Sequence, residues 1–491
     1  MALTTQQQFA IDTVANPDNH LVLLKACAGS GKTHTLIELA KHLHPKSGLY
    51  LAYNKAIADE ATTKFKGTKI KCSTIHSLAY GYTVRPYGLK VGFFNVRDVK
   101  PASTPYGIRM LIVNTIEDFC LSSFLCPEEF MTHNDIHPNV QSSVMGHLNA
   151  MTNGTIACTH SFYLKLFHVY LASGDITVPE VDLLLIDEAG DLTELTVEVF
   201  RLLKAKKKVA VGDPMQNIYG FNKTINAFNV LKDEGVTTTL TESFRVSDDI
   251  AFTIQQFVHK YIDKTYDFTG RVYPSNAPIE TSMYITRTNT YLLHEMFRLK
   301  ENGIGFNTTR PIDTIIELPL ILATLDKHTT IKEYKYKHIE KLRVDWGKSA
   351  PLRQQYPELE AYVRNNLKGD EEADIAFKVV DKHRAEELID LAKYVRECSK
   401  SEWPLLLSTA HSVKGLESDS VTIAPDLNEK VAEAIEKMKK NNVNVREGTK
   451  AVVAKLNEEY LSELRLYYVA TTRAKVELIN ATKLPTERLM H

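Results

Sequence analysis

Leu21-Val22-Leu23-Leu24-Lys25-Ala26-Cys27-Ala28-Gly29-Ser30-Gly31-Lys32-Thr33 reads as an apolar strand, Leu21 to Lys25, that breaks into a short glycine-rich turn. A helical pattern, Thr35 to Leu43, begins at once. Successive backbone N–H groups in such a turn, at Ala28, Gly29, Ser30 and Gly31, form a cradle for an anion, and the helix N-terminus adds its dipole. Glycines let the backbone approach a phosphate with no Cβ in the way. Lys32 is placed to reach β- and γ-phosphates, and Thr33 to give a hydroxyl to Mg²⁺. The expected ligand is therefore ATP with Mg²⁺. Ala26 stands where the general loop pattern has its first glycine.

A second apolar run, Val181 to Ile186, ends in the acid pair Asp187-Glu188. Two carboxylates at the carboxyl end of a buried parallel strand lie where α/β proteins bind ligands. Asp187 is expected to hold the Mg²⁺ and Glu188 to take the proton of an attacking water. Further short apolar runs at Gly48 to Tyr53, Lys208 to Val211, Met283 to Ile285, Leu405 to Ser408 and Val421 to Ile423 alternate with amphipathic stretches such as Leu192 to Leu203. Strand-helix alternation predicts parallel sheets. The fold class is α/β with two parallel-sheet domains, each carrying a mainly helical insertion. The first domain is expected over 1–79 and 154–248 with its insertion at 80–153. The second is expected over 249–306 and 402–491 with its insertion at 307–401. Within the latter, Lys327 to Arg353 interleaves basic residues with Tyr334, Tyr336 and Trp346, a candidate nucleic-acid patch beside the plainer reading of a solvated face. Glu429 to Lys455 reads as a surface helical segment.

With 59 Lys and Arg against 60 Asp and Glu, bulk charge neither demands nor excludes a polyanion partner. The six cysteines form no C-x-x-C pair, so neither a zinc site nor a disulfide framework is expected. No apolar run reaches the ~18 residues of a membrane span. The expectation is a monomeric protein of a reducing compartment, bacterial or phage-infected host cytoplasm, with no membrane partner.

The remaining motifs, taken in order, resemble those of superfamily 1 helicases of the UvrD, PcrA and Rep type, with wording similar to the F-box DNA helicase group. Leu3-Thr4-Thr5-Gln6-Gln7 resembles the opening glutamine motif, which implies that Gln7 reads the adenine edge. Tyr53-Asn54-Lys55 and Ser73-Thr74-Ile75-His76 resemble motifs Ia and Ib, which implies DNA contacts from Tyr53, Asn54, Lys55, Thr74 and His76. Gly212-Asp213-Pro214-Met215-Gln216-Asn217-Ile218-Tyr219-Gly220-Phe221 resembles motif III, with Gln216 on the γ-phosphate and Tyr219 and Phe221 facing the strand. Thr241-Glu242-Ser243-Phe244-Arg245 resembles motif IV, with Phe244 stacking on the adenine and Arg245 on the γ-phosphate. Arg287 and Asn289 resemble a strand-contacting motif of the second domain. Thr409-Ala410-His411-Ser412-Val413-Lys414-Gly415-Leu416-Glu417 resembles motif V, which places Gly415 and Glu417 on the nucleotide, Glu417 near its ribose, and Thr409, His411 and Ser412 on the DNA. Glu463-Leu464-Arg465-Leu466-Tyr467-Tyr468-Val469-Ala470-Thr471-Thr472-Arg473-Ala474-Lys475 resembles motif VI, whose arginine finger is Arg473, and the resemblance implies that both domains are RecA-like P-loop domains. Gly190 and His34 occupy places where the family commonly has a glutamine and an adenine-packing arginine; His34 is retained as a nucleotide contact.

The resemblance implies an ATP-dependent DNA helicase that translocates 3′-to-5′ on single-stranded DNA and acts at single-strand/duplex junctions in replication, recombination or repair. The alternative is a single-stranded-DNA-stimulated ATPase that displaces bound proteins without processive unwinding. A small-molecule P-loop kinase is a third class, distinguished by ATP turnover indifferent to nucleic acid.

Overall fold

The computed structural model describes residues 3–96, 98–101, 104–218, 224–274, 277–323, 354–355, 359–366, 371–443 and 450–480. The chain divides into two compact units, Met1–Phe244 and Arg245–His491.

The first unit holds strands β1 (Leu21–Ala26), β2 (Gly48–Ala52), β3 (Ile70–Thr74), β4 (Val181–Ile186), β5 (Leu192–Thr193), β6 (Ala205–Gly212), β7 (Thr224–Ile225) and β8 (Val236–Leu240). Six of them form one sheet in the order β3-β2-β4-β6-β1-β8. Every neighbouring pair in it runs parallel. Period-two alternation splits the strand residues between two cores. Val22, Leu24, Leu183 and Leu185 face a core shared with Ile11, Leu36 and Leu39 of the helices Thr5–Ala15 and Lys32–Leu43. Leu23, Leu184 and Ile186 face the other, which is continuous with Ile116, Phe119, Val144 and Met151 of the long helical stretch between β3 and β4. That stretch, from Ile75 to Ser173, therefore shares one apolar core with a sheet face.

The second unit contains β10 (Thr269–Arg271), β11 (Ser282–Thr286), β12 (Asn307–Thr308), β13 (Leu405–Thr409), β14 (Ser418–Ile423) and β15 (Ala474–Asn480). The strand β9 (Glu242–Ser247) spans the division between the units and pairs with β10. A five-stranded sheet runs β12-β13-β11-β14-β15, again parallel throughout. Leu407 joins Leu293, Met296, Leu388 and Leu391 in a core beneath the helices Asn289–Glu301 and Ala385–Cys398. The α/β class with two parallel-sheet halves is as expected from the strand-helix alternation.

Particular elements differ. Leu192 to Leu203 was expected to be wholly helical, but Leu192–Thr193 pairs antiparallel with Thr224–Ile225, and the helix starts at Glu194. Thr193 accepts a hydrogen bond from the Thr196 N–H at 3.2 Å and so caps that helix. The strands β3, β8, β12 and β15 of the two larger sheets, and β5, β7, β9 and β10 of the two small ones, were not anticipated. The basic stretch Lys327 to Arg353 lies outside the described residues. Among those described, no helix is long and apolar enough to cross a membrane.

Candidate active site and nucleic-acid interface

Strand β1 sits between β6 and β8 and delivers the turn Cys27–Gly31 at the carboxyl edge of the sheet. The Cys27 N–H donates to the Leu240 carbonyl at 2.9 Å, and the Ser30 N–H and hydroxyl both return to the Cys27 carbonyl, at 3.2 and 2.8 Å. Gly29 and Gly31 adopt left-handed φ values of 75° and 77°, which glycine takes without a Cβ penalty. Lys32 and Thr33 are the first two residues of the helix that follows.

The turn is buttressed by two residues within the first unit. The Phe244 N–H donates to the Gly29 carbonyl at 2.9 Å. The Gln7 amide donates to the Ser30 carbonyl at 3.4 Å, while its oxygen accepts from the Thr4 N–H at 3.1 Å. A Cβ on Gly31 would stand 2.9 Å from Gln7 Nε2 and 3.6 Å from the Phe244 ring. Gln7, Gly31 and Phe244 are thus brought together. Gln7's amide is at the same time engaged with the chain itself.

Across the turn, Lys32 Nζ lies 3.7 Å from Glu188 Oε1. Glu188 takes a left-handed φ of 56°, uncommon for a residue with a side chain. Asp187 is buried; its Oδ1 accepts the Glu188 N–H at 2.8 Å and its Oδ2 accepts the Tyr50 hydroxyl at 2.5 Å. Burial, reinforced by the neighbouring Glu188 charge, raises the Asp187 carboxyl above its ordinary range, against the pull of Lys32. A buried carboxylate facing a lysine and a second acid suits a divalent cation: Asp187, with Thr33 on the phosphate loop, is the donor set that would hold Mg²⁺.

The next strand end packs directly on this one. A Cβ at Gly190 would stand 2.3 Å from the Asp213 carbonyl oxygen, and one at Gly212 would stand 2.6 Å from the Ala189 nitrogen. The Ala189 N–H donates to the Val211 carbonyl at 2.9 Å. Backbone therefore fills the space that a side chain at position 190 would need. Asp213, to which the sequence reading gave no role, accepts from the Met215 N–H at 2.9 Å and from the Gln216 amide at 3.0 Å. Gln216, expected on the γ-phosphate, donates its amide to Asp213 in this structure. Tyr219 and Phe221 lie outside the described residues.

Of the expected DNA contacts in the first unit, Asn54 and Thr74 cap the helices that follow β2 and β3, accepting from Ile57 N–H at 2.9 Å and Ser77 N–H at 3.0 Å. Tyr53 and His76 line one cavity of about 780 Å³ with Phe93, Phe94 and His160. Lys55 opens the helix Lys55–Lys64. The His76 ring stands edge-on to His160 and Tyr163.

In the second unit, the expected contacts gather at the carboxyl ends of β11 and β13. Arg287 is held by Glu463 through two bonds, Nε at 2.8 Å and Nη2 at 2.6 Å. Asp426 receives the N–H groups of Arg287 and Thr288. Asn289 begins the helix Asn289–Glu301. Thr409 and Ser412 hydroxyls meet at 3.1 Å around a short 3₁₀ turn. Burial and the Arg287 charge push His411 down to about 4, so it is neutral near pH 7. The nucleotide-side residues of this unit are tied to one another. Glu417 accepts from Arg245 Nε at 2.7 Å and Lys475 Nζ at 3.0 Å. Gly415 is left-handed at φ 89°. Arg473, expected to be an arginine finger, is buried with its guanidinium donating to the Val469 and Leu416 carbonyls at 2.8 and 3.2 Å and to the Thr472 hydroxyl at 3.0 Å. Sequence reasoning had Gln6, Asp213, Glu463 and Lys475 only as letters of their motifs and Tyr50 only as part of a strand, with no role for any of them. Gln6 grips Thr241 twice at 2.8 Å, beside the strand that carries Phe244.

Comparison with known proteins then separates this arrangement from other phosphate-loop enzymes. A family profile described as "AAA domain" matches residues 7–222, and one described as "UvrD-like helicase C-terminal domain" matches residues 228–483. The chain belongs to the UvrD-like helicases. Two curated relatives of this UvrD-like chain are 25% identical to it: F-box DNA helicase protein 1 of Schizosaccharomyces pombe and F-box DNA helicase 1 of Gallus gallus. The alignments cover 97% and 94% of this chain but 57% and 47% of those relatives. The UvrD-like chain thus spans about half the length of the curated relatives it matches.

Proposed function

We propose that the chain is an ATP-dependent DNA helicase that moves 3′-to-5′ along single-stranded DNA and opens duplex at its junction with single strand. The observation that carries this reading is the apposition of Lys32 and Glu188 at 3.7 Å over a buried Asp187, in a chain of the UvrD-like family. Lys32 neutralises phosphate oxygens, and the turn's N–H groups orient them. Glu188 accepts a proton from the attacking water, its left-handed backbone aiming the carboxylate toward Lys32. Asp187 and Thr33 would hold Mg²⁺, whose charge would offset that of the phosphates. Gln7 and Phe244 frame the base. Tyr53, Lys55, His76, Arg287, Thr409 and Ser412 provide the track for the strand.

ATP turnover is expected to rise strongly with single-stranded DNA, and unwinding is expected from duplexes with a 3′ tail. Turnover indifferent to nucleic acid would instead identify a small-molecule kinase. Unwinding from a 5′ tail alone would reverse the polarity. Translocation without strand separation would point to a protein-displacing motor.

A further inference from the structure

Tyr50 is an interior residue of β2, in register with Leu185 of β4, and its ring packs on Phe65 at 5.4 Å between centroids. It is 1% exposed, and its hydroxyl reaches Asp187 Oδ2 at 2.5 Å. A phenol in the middle of a core strand is at odds with the surrounding residues Leu49, Leu51 and Ala52, all apolar. The strand accommodates it because the ring fills core space beside Phe65 while its one polar atom ends on the carboxylate. The two oxygens of Asp187 are each given one donor, the Tyr50 O–H and the Glu188 N–H. Each carboxylate oxygen has two lone pairs, so this fixes the plane of the group and still leaves acceptor positions open.

Building on the proposed ATPase reading, we infer that Tyr50 is a positioning residue that locks the Asp187 carboxylate in the orientation that receives Mg²⁺. It touches neither nucleotide nor metal; it acts through Asp187. Removing the hydroxyl leaves a buried oxygen short of its charge-assisted bond and frees the carboxylate to rotate. Such bonds to charged groups are worth enough to shift an equilibrium about tenfold or more.

The test is binding of a fluorescent ATP analogue at stepped Mg²⁺ concentrations, with a parallel titration in EDTA, on the full chain. For Tyr50→Phe, the Mg²⁺ concentration at half-maximal binding is expected to rise about tenfold while affinity in EDTA stays the same. Phe65→Leu disturbs the ring's packing and spares the hydroxyl, so it is expected to leave the Mg²⁺ requirement near wild type. In an Asp187→Asn background, where no charge remains to be left unpaired, adding Tyr50→Phe is expected to change the Mg²⁺ dependence no further. An unchanged Mg²⁺ requirement in Tyr50→Phe, an equal shift in Phe65→Leu, or an added shift in the double variant each overturns the inference. Should Tyr50→Phe alone not fold, the comparison between Asp187→Asn and the double variant still decides it. Wild-type protein that binds nucleotide without any Mg²⁺ dependence would count against the ATPase reading itself, before Tyr50 is considered.

Discussion

Glu188→Gln keeps the side chain's size and its left-handed backbone while removing the proton acceptor. ATP binding is expected to persist and turnover to fall by at least about a hundredfold, the usual scale of general base catalysis. Single-turnover hydrolysis near the wild-type rate would remove Glu188 from that role. Gly190→Ala tests the neighbouring contact. The added Cβ would lie 2.3 Å from the Asp213 carbonyl, so the two strand ends must part at a cost of about 1–3 kcal/mol, seen as a lower thermal transition. At this scale, the sequence revealed the loop residues and the acid pair because their spacing along the chain carries the chemistry. It did not reveal what holds them. Tyr50 and Asp187 are 137 positions apart, and Arg287 and Glu463 are 176 apart. Gln216 illustrates the reverse: its motif spacing suggested phosphate, while a partner three residues away, Asp213, takes its amide.

Among elements, the strands divide by place in the sheet. Those read correctly, β1, β2, β4, β6, β11, β13 and β14, are interior and flanked on both sides, so their residues form apolar runs. In the two larger sheets, the four that escaped, β3, β8, β12 and β15, are the edges. Val236-Thr237-Thr238-Thr239-Leu240 alternates exposure instead of avoiding it, and Ile70-Lys71-Cys72-Ser73-Thr74 buries only its first residue. A half-wet edge has no apolar run to find. The helix Lys450–Thr471 shows a different limit, since its link to β11 depends on Glu463 gripping Arg287. Glu463→Gln releases that grip. If Arg287 serves the strand, single-stranded DNA affinity is expected to increase, with the salt dependence steepening by about one phosphate contact. A lower thermal transition with DNA affinity and salt slope unchanged would make the pair a brace between β11 and the helix, and nothing more.

For the molecule as a whole, near-neutral composition matters more than it does for a typical nucleic-acid binder. With 59 basic and 60 acidic residues, attraction to DNA cannot come from net charge and must come from local groups at the strand ends. Of the candidate contacts there, Arg287 is already paired with Glu463, and His411 is held neutral. Few phosphates are then neutralised per bound molecule. The plot of log affinity for single-stranded DNA against log salt is therefore expected to be shallow, with a slope corresponding to about two to four contacts at ~0.7 each. This can be measured by fluorescence anisotropy on a short oligonucleotide between low and physiological salt, with the 491-residue chain alone. A slope of six contacts or more would mean that a basic surface beyond these strand ends carries the strand, and the Lys- and Arg-rich stretch from Lys327 to Arg353 would be the first place to neutralise. A shallow slope together with strong DNA stimulation of turnover would show instead that hydrogen bonding and stacking at the strand ends hold the track. Base stacking tolerates salt, so the motor would then keep its grip at ionic strengths that release proteins bound mainly through phosphate charge.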